Sequence, residues 1–173
     1  MKRILFAAAF AVASYAAICA GAWAATVQFP KNSAVSFTVQ VPAGWTSGDD
    51  GKGTLTFSPP PGQALSVSLM VLDNATAVSQ MSVAQFAQAV LTPSNATTIY
   101  KQAPGSISSV DGTTFFTSSQ NGDGTKVDLK LTILTVNARY IVMEVVVTPT
   151  IMTPALEASL KSLTKGITLK VSK

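Results

Sequence analysis

Apolar and polar residues alternate along several segments of this chain. From Ala34 to Val41, apolar residues occupy every second position, at Val35, Phe37, Val39 and Val41. Successive side chains of a β-strand point to opposite faces, so this segment is predicted to be a strand with one buried face. Similar segments predict strands at 54–58, 65–72, 106–110, 113–118, 127–136 and 139–148. Most of the chain is therefore expected to form β-sheet.

Two of these strands show more than alternation. Met70 and Leu72 add apolar side chains to the second face of the strand at 65–72, which indicates that another element covers that face. The segment 139–148 is the most apolar of the predicted strands and is expected to be central in the sheet. A strand buried on both faces reads as a nearly continuous apolar run rather than as an alternation.

Two segments change to helical spacing. The residues from Ser82 to Leu91 place apolar side chains three and four positions apart, and Ser82 is a suitable N-cap. A second helix is predicted from Pro154 to Lys165, capped by Thr153 and ended by Gly166. The residues 167–171 are predicted to add a final edge strand.

Glycine, proline and asparagine mark the expected connections. The polar tract 47–53 is predicted to be a loop, and Asp111-Gly112 is predicted to be a two-residue hairpin turn between the strands at 106–110 and 113–118. Two further turns are expected at 121–124 and at Asn137-Ala138. An antiparallel sheet with two helices is an α+β fold.

Residues 1–24 resemble a secretory signal peptide. Lys2 and Arg3 precede an uncharged, alanine-rich stretch, and Ala22-Trp23-Ala24 places small residues where a signal peptidase reads them. The expected cut lies before Ala25, which leaves residues 25–173 as one domain. Two alternatives remain open, a retained transmembrane anchor and lipidation at Cys19.

The composition excludes several classes of site. The chain has no histidine and one cysteine, Cys19, which would leave with the leader. A histidine general base, a Ser-His-Asp or Cys-His nucleophile and a histidine-bearing zinc site are therefore impossible. Lys2 and Arg3 supply two of the four net positive charges, so the mature chain has no electrostatic footprint for nucleic acid.

The first strand and its turn carry a family resemblance. The sequence Val35-x-Phe37-x-Val39-x-Val41-Pro42-x-Gly44-Trp45 is similar to the start of PsbP-like and DcrB-like domains, and the order of elements matches over about residues 33–171. The resemblance implies the Mog/PsbP fold, an antiparallel sheet sandwiched by helices (an α/β/α sandwich). It also implies a non-catalytic binding or assembly module. Plant photosystem members bind metal through residues that include histidine, so no metal site carries over to this chain.

Few residues are candidates for a site of their own. Asp49-Asp50-Gly51-Lys52 has carboxylates and glycines that suit calcium, but the ligand spacing is incomplete and a solvated loop is the preferred interpretation. Glu144 lies inside the apolar segment 140–147, where it could pair with Arg139 or Lys130 or line a pocket. An outward-facing position is expected for Glu144 because buried glutamates are rare.

These observations predict an exported, non-enzymatic accessory or binding protein of the bacterial envelope, either periplasmic or secreted, that engages a protein partner. The alternative is a small-ligand binder that uses a cleft between sheet and helix, with Trp45, Tyr100, Tyr140 and Glu144 as candidate contacts. A hydrolase based on carboxylates or a Ser-Lys pair is a distant third. No cofactor, no nucleic-acid partner and no integral membrane segment after leader cleavage are expected.

Overall fold

The computed structural model describes residues 23–61, 63–73, 80–92, 98–120 and 123–172. Within these ranges the chain forms ten strands and two helices, so it is dominated by sheet as the alternation predicts. In chain order the elements are β1 Trp23–Phe29, β2 Val35–Pro42, β3 Thr46–Asp49, β4 Thr54–Ser58, β5 Ser66–Asp73, α1 Val83–Leu91, β6 Lys101–Ile107, β7 Val110–Gln120, β8 Lys126–Val136, β9 Tyr140–Pro149, α2 Pro154–Lys165 and β10 Ile167–Val171.

The strands form two antiparallel sheets. One has three strands in the order β1-β2-β10, and the other has seven in the order β3-β4-β5-β9-β8-β7-β6. The apolar strand β9 lies at the centre of the seven-stranded sheet, between β5 and β8, as its composition predicts. The α+β class is confirmed. The expected sandwich has a single sheet between its helices. This chain has two sheets, because β1, β2 and β10 form a sheet of their own.

Both faces of the seven-stranded sheet are partly buried. On one face, side chains of β4, β5 and β9 share a core with β2 and α2, including Phe37, Phe57, Leu69, Val142 and Leu163. On the other face, α1 packs on a second core that includes Ala87, Leu91, Phe115, Leu131 and Met143. Met70 and Leu72 are partly buried and pack against this second cluster, so the second face of β5 is partly covered.

The apolar positions of the predicted strands and helices are the expected core, and the structure buries most of them. Those with low exposure are Val35, Phe37, Val39, Leu55, Phe57, Val67, Leu69, Leu129, Leu131, Val142 and Leu156. Phe86 and Leu160 are partly buried and pack against the two cores. The alternation therefore assigns the correct faces of β2, β4, β5 and β8 to the interior.

The helices begin where their caps predict. The Ser82 hydroxyl accepts a hydrogen bond from the backbone N–H of Gln85, and the Gln85 side chain accepts one from the N–H of Ser82, which completes a capping box. The Thr153 hydroxyl caps α2 in the same way through the N–H of Leu156, with Pro154 in the first turn. These bonds pair N–H groups that have no partner inside the helix.

The predicted Asp111-Gly112 turn is wrong. Strands β6 and β7 are joined at Ser108-Ser109, both of which have positive φ (51° and 65°), and Asp111 and Gly112 lie inside β7. Gly112 is opposite Gly105 in the register, and a Cβ on Gly112 would collide with the backbone oxygen of Ile133. The glycine is needed for close strand packing rather than for the turn.

The polar tract 47–53 is only partly a loop. Residues Thr46–Asp49 form the exposed edge strand β3, which pairs with β4. Strand β1 has no counterpart in the sequence interpretation, because most of its side chains are exposed and do not alternate. Both unpredicted strands lie at sheet edges, where burial imposes little pattern on the sequence.

The predicted leader lies largely outside the described residues, which begin at Trp23. Trp23 and Ala24 are the first two residues of β1. Among the described residues, no helix has both the length and the apolar character needed to cross a membrane.

Candidate functional site

A cleft of about 390 Å³ lies between α1 and the seven-stranded sheet. Its floor comes from β5, β8 and β9, and the end of α1 forms one wall. The lining residues are Thr54, Ser68, Met70, Val90, Leu91, Ser119, Gln120, Val127, Leu129, Val145 and Val147. Sites for small molecules commonly have volumes of about 300–1,000 Å³ and mostly apolar walls.

The strand register explains why these side chains share one face. Ser68 is paired with Val145, and Leu129 is paired with Val147. Residues two positions apart point the same way, so Met70 and Val127 extend the same surface. Helix α1 has only nine residues, so it covers part of this surface and leaves Val145 and Val147 half-buried.

The cleft offers apolar contact with a few neutral polar groups. Ser68 and Thr56 share a hydrogen bond of 2.9 Å between their hydroxyls, so the floor near β4 is polar but uncharged. None of the described lining residues carries a charge. The described walls therefore suit an uncharged ligand, because they offer no ionic partner to a charged group.

The cleft is not built from the four residues that the sequence nominates. Trp45 is buried in the core on the opposite face, where its indole N–H donates to the Ser159 hydroxyl of α2 at 2.8 Å. This bond ties the turn after β2 to the helix. Trp45 therefore closes the core.

Tyr140 and Tyr100 lie far apart in the sheet. Tyr140 is buried at the start of β9, with the Arg139 guanidinium 5.3 Å from its ring centre. Tyr100 precedes β6, and its backbone N–H donates to the backbone oxygen of Phe116 in β7. Phe116 pairs with Lys130 of β8, which pairs with Val146 of β9, so Tyr100 lies at the level of Val146. Val146 is six residues from Tyr140, which corresponds to roughly 20 Å along the strand. One small ligand cannot contact both tyrosines.

Tyr100 is the most exposed of the four. Its side chain is 62% exposed, compared with 5–9% for the other three. Next to it, the Lys101 ammonium lies 5.0 Å from the ring centre of Phe116. We call Tyr100, Lys101 and Phe116 the Tyr100 patch; it lies at the edge strand β6 and its neighbour β7.

The expected outward position of Glu144 is wrong. The residue is buried, with Leu69 and Thr132 as its partners on the neighbouring strands. Its carboxylate lies 3.9 Å from the Lys130 ammonium, one of the two partners that the sequence suggests. Burial raises the pKa of Glu144, and the positive charge of Lys130 acts against that rise. Glu144 shares its sheet face with Val142 and Val146, opposite to the α1 cleft.

The acidic loop after β3 satisfies its own backbone. The Asp50 carboxylate accepts hydrogen bonds from the N–H groups of Thr54 and Lys52, which lower the pKa of Asp50. Asp49 accepts one from Gly51. Within the described ranges, no group of three or more acidic or cysteine side chains is arranged to hold a metal ion. A separate hollow of about 530 Å³ lies between this loop and the end of β1.

Comparison with known proteins identifies the architecture. No family model matches the sequence, and no curated protein matches it. Solved structures do match. Cyanobacterial PsbP (CyanoP) from Synechocystis has a TM-score of 0.54 at 12% identity, covering 83% of this chain and 92% of that chain. The chain has a PsbP/Mog-like fold.

Two more solved structures share this fold. LpqN of Mycobacterium tuberculosis, described as involved in cell envelope biogenesis, has a TM-score of 0.52 at 12% identity, with coverage of 84% of this chain and 90% of LpqN. The Ran-binding protein Mog1p of Saccharomyces cerevisiae has a TM-score of 0.50 at 14% identity, with coverage of 85% and 95%. At such identities the likeness shows the fold alone.

A longer protein from Bacteroides thetaiotaomicron also matches, with a TM-score of 0.52 at 15% identity, and this chain spans 45% of its length. The PsbP and Mog parts of the expected resemblance are confirmed. The DcrB-like part stays a prediction.

The lining of the α1 cleft was not predicted as a site. Met70 was the one available signal, because its apolar side chain breaks the alternation of β5 and indicates a covered face. Val145 and Val147 lie in a continuous apolar run, in which no pattern separates a core residue from a cleft residue.

Proposed function

We propose that this chain is an exported, non-enzymatic accessory or binding protein that engages a protein partner. The observation that carries the proposal is the PsbP/Mog-like fold. One protein that shares it is described as Ran-binding and another as involved in cell envelope biogenesis. The positions of α1 and α2 on opposite faces of the seven-stranded sheet support the finer assignment to a Mog/PsbP α/β/α sandwich.

The Tyr100 patch is the proposed contact with that partner. Tyrosine is enriched in protein interfaces because it combines a large apolar area with a hydroxyl and has few rotatable bonds. Tyr100 is mostly exposed, and the residue that follows it, Lys101, places its ammonium 5.0 Å from the ring centre of Phe116 on the neighbouring strand. Of the nominated residues, Tyr100 is the one a partner reaches without unfolding the core.

The proposed location is the periplasm or the exterior of a bacterial cell. The support comes from the leader-like residues 1–24 and from the cell-envelope description of LpqN. A positively charged start followed by an uncharged stretch and small residues is the pattern of an export signal.

Capture from envelope extracts tests the protein-partner proposal. The bait is the exported domain, cross-linked in intact cells, in three forms: wild type, Tyr100→Ala and Ile151→Ala. Ile151 is 85% exposed and serves as the matched control for loss of a surface side chain. We expect one stoichiometric protein that Tyr100→Ala reduces at least about tenfold, since truncating an interface hot spot commonly costs 2 kcal/mol or more. Equal recovery with all three baits contradicts the proposed contact.

A second candidate function is binding of a small uncharged ligand in the α1 cleft. The specific observation in its favour is the cleft of about 390 Å³. Seven of its lining residues are apolar, and none of those that the structure describes is charged. No contact among the described residues favours a hydrolase, and no catalytic activity is proposed.

A filling variant tests the ligand proposal. Val145→Phe places a larger side chain in the cleft, whereas Thr135→Phe places the same side chain on the same sheet face, roughly 20 Å from Leu129 along β8. Native mass spectrometry and solvent extraction of the purified protein report a retained ligand. We expect wild type and Thr135→Phe to retain the ligand and Val145→Phe to lose it. If both variants retain the ligand, the proposal is contradicted.

A further inference from the structure

The sequence offers two overlapping places for a signal peptidase. Ala22-Trp23-Ala24 places alanine three residues and one residue before a cut at Ala25, and Ala20-Gly21-Ala22 does the same for a cut at Trp23. Small residues at those two positions are what the peptidase reads. The leader pattern alone therefore permits either bond.

The fold distinguishes the two. Strand β1 begins at Trp23, which is paired with Pro42 of β2, and the register then shifts so that Ala25 pairs with Val41. A cut before Ala25 would remove the first residue pair of this edge strand. A cut before Trp23 keeps every described residue of β1.

Trp23 also packs against the folded domain. A Cβ added to Gly166 would lie 3.1 Å from Cζ3 of the Trp23 ring and 2.6 Å from the backbone oxygen of Gln40. Gly166 joins α2 to β10, and its backbone oxygen accepts a hydrogen bond of 3.0 Å from the N–H of Gln40. Trp23 therefore covers the corner where the last helix meets the three-stranded sheet, and just over half of its surface is buried.

We infer that the Ala22–Trp23 bond is the processing site and that the mature chain begins at Trp23. This inference rests on the proposed export of the chain. Hydrolysis by a signal peptidase adds water across that peptide bond, with a carboxylate formed on Ala22 and an amino group on Trp23. The new terminus lies on the edge strand β1, at a residue that is 46% exposed.

Intact mass and N-terminal sequencing test the inference. The full chain, with its own leader, is produced in a Gram-negative host and recovered from the periplasm and medium. A start at Trp23 is expected. A start at Ala25, or a lipid-bearing start at Cys19, overturns the inference but leaves export standing; a start at Met1 overturns both.

Two leader variants sharpen the result. Ala20→Asp changes only the triplet for the Trp23 cut, whereas Ala24→Asp changes only the triplet for the Ala25 cut. We expect Ala24→Asp to keep the start at Trp23 and Ala20→Asp to lose it, through either retention of the leader or a shift to Ala25. The opposite pair of outcomes assigns the cut to the Ala24–Ala25 bond.

A thermal measurement tests the structural premise separately. Domains that begin at Trp23 and at Ala25 are compared with a Trp23→Ala form of the longer domain. The longer wild-type domain is expected to have a Tm at least about 2 °C higher than either. Equal Tm values for all three contradict a packed role for Trp23.

Discussion

The carboxylate of Glu144 is buried between two strands, with one charged neighbour at 3.9 Å, Lys130. Removing a carboxylate from water favours its protonated form, which raises the pKa of Glu144 above its ordinary value of 4.5. The folded chain then holds this proton more tightly than the unfolded chain does. The contribution of Glu144 to stability is therefore most favourable below about pH 4.5 and declines as the pH rises to the raised pKa.

Glu144→Gln isolates that contribution. The variant cannot ionise at this position, so the free energy of unfolding of wild type minus that of Glu144→Gln is expected to fall as the pH rises above about 4.5 and to level off once the pH exceeds the raised pKa. Urea unfolding of both proteins at several pH values measures this difference. A difference that stays constant or rises with pH contradicts the burial of the carboxylate. Asp50, Asp73 and Asp123, whose pKa values are lowered, affect both proteins equally.

Truncation of core side chains tests the two clusters independently. Phe37 belongs to the core shared with α2, and Leu131 belongs to the core under α1; both are fully buried. Replacing either with alanine is expected to lower the free energy of unfolding by about 2–5 kcal/mol through lost burial and the cavity left behind. Val171→Ala, at an exposed position, is expected to change it by less than about 0.5 kcal/mol. Denaturant unfolding showing small effects at both core positions would indicate that the wrong strand faces are inward.

Glu144 also shows where residue-level prediction fails. Its segment reads as apolar on both sides, and a glutamate in that setting normally points to water. Glu144 is buried because β9 lies between β5 and β8, and the strand register brings the Lys130 ammonium of β8 within 3.9 Å of its carboxylate. Local sequence contains the two candidate partners but not the register that selects one of them.

At the scale of elements, the turn of the β6–β7 hairpin places two serines in a left-handed backbone conformation that asparagine and glycine adopt more easily. Ser108 and Ser109 both have positive φ, as a two-residue hairpin turn of this hand requires. Replacing them with Asn-Gly should stabilise the fold by about 1 kcal/mol, because asparagine and glycine adopt positive φ at lower cost. Thermal or urea unfolding measures the gain. Reduced stability in the double variant would argue against a turn at these residues.

Gly105 provides the complementary prediction. A Cβ there would collide with the Thr114 hydroxyl, which shares a buried 3.0 Å hydrogen bond with the Thr132 hydroxyl. We expect Gly105→Ala to destabilise the protein by about 1–3 kcal/mol, since that hydroxyl must move and leave its partner unpaired. Gly48→Ala, where a Cβ would meet no atom within 4 Å, is the matched control in denaturant unfolding. Equal effects in the two variants contradict the proposed packing role.

The sequence predicts elements well where burial imposes a period, and poorly elsewhere. Strand β4 and helix α2 have the predicted bounds, because alternation and capping residues define them. The hairpin turn was misplaced because Asp-Gly is a favoured turn pair, whereas Gly112 is needed for close packing against Ile133. Strands β1 and β3 were missed because edge strands with exposed side chains carry no apolar pattern.

At the scale of the whole molecule, the central position of β9 follows from the sequence, and the resemblance to the PsbP/Mog-like fold follows from the strand and turn at 35–45 together with the order of the predicted elements. The position of the cleft does not follow. It depends on how much of a seven-stranded sheet a nine-residue helix covers, and on which strands lie side by side beneath it. Both depend on tertiary packing.

Site-specific photo-crosslinking tests most directly whether the molecule works by binding a protein through the Tyr100 patch. A photoreactive phenylalanine analogue replaces Tyr100 in one form and Ile151, exposed elsewhere, in another; both are activated in intact cells. We expect one discrete heavier band from position 100, containing this chain and a single partner, and no such band from position 151. No adduct at position 100, or the same adducts at both positions, would contradict it.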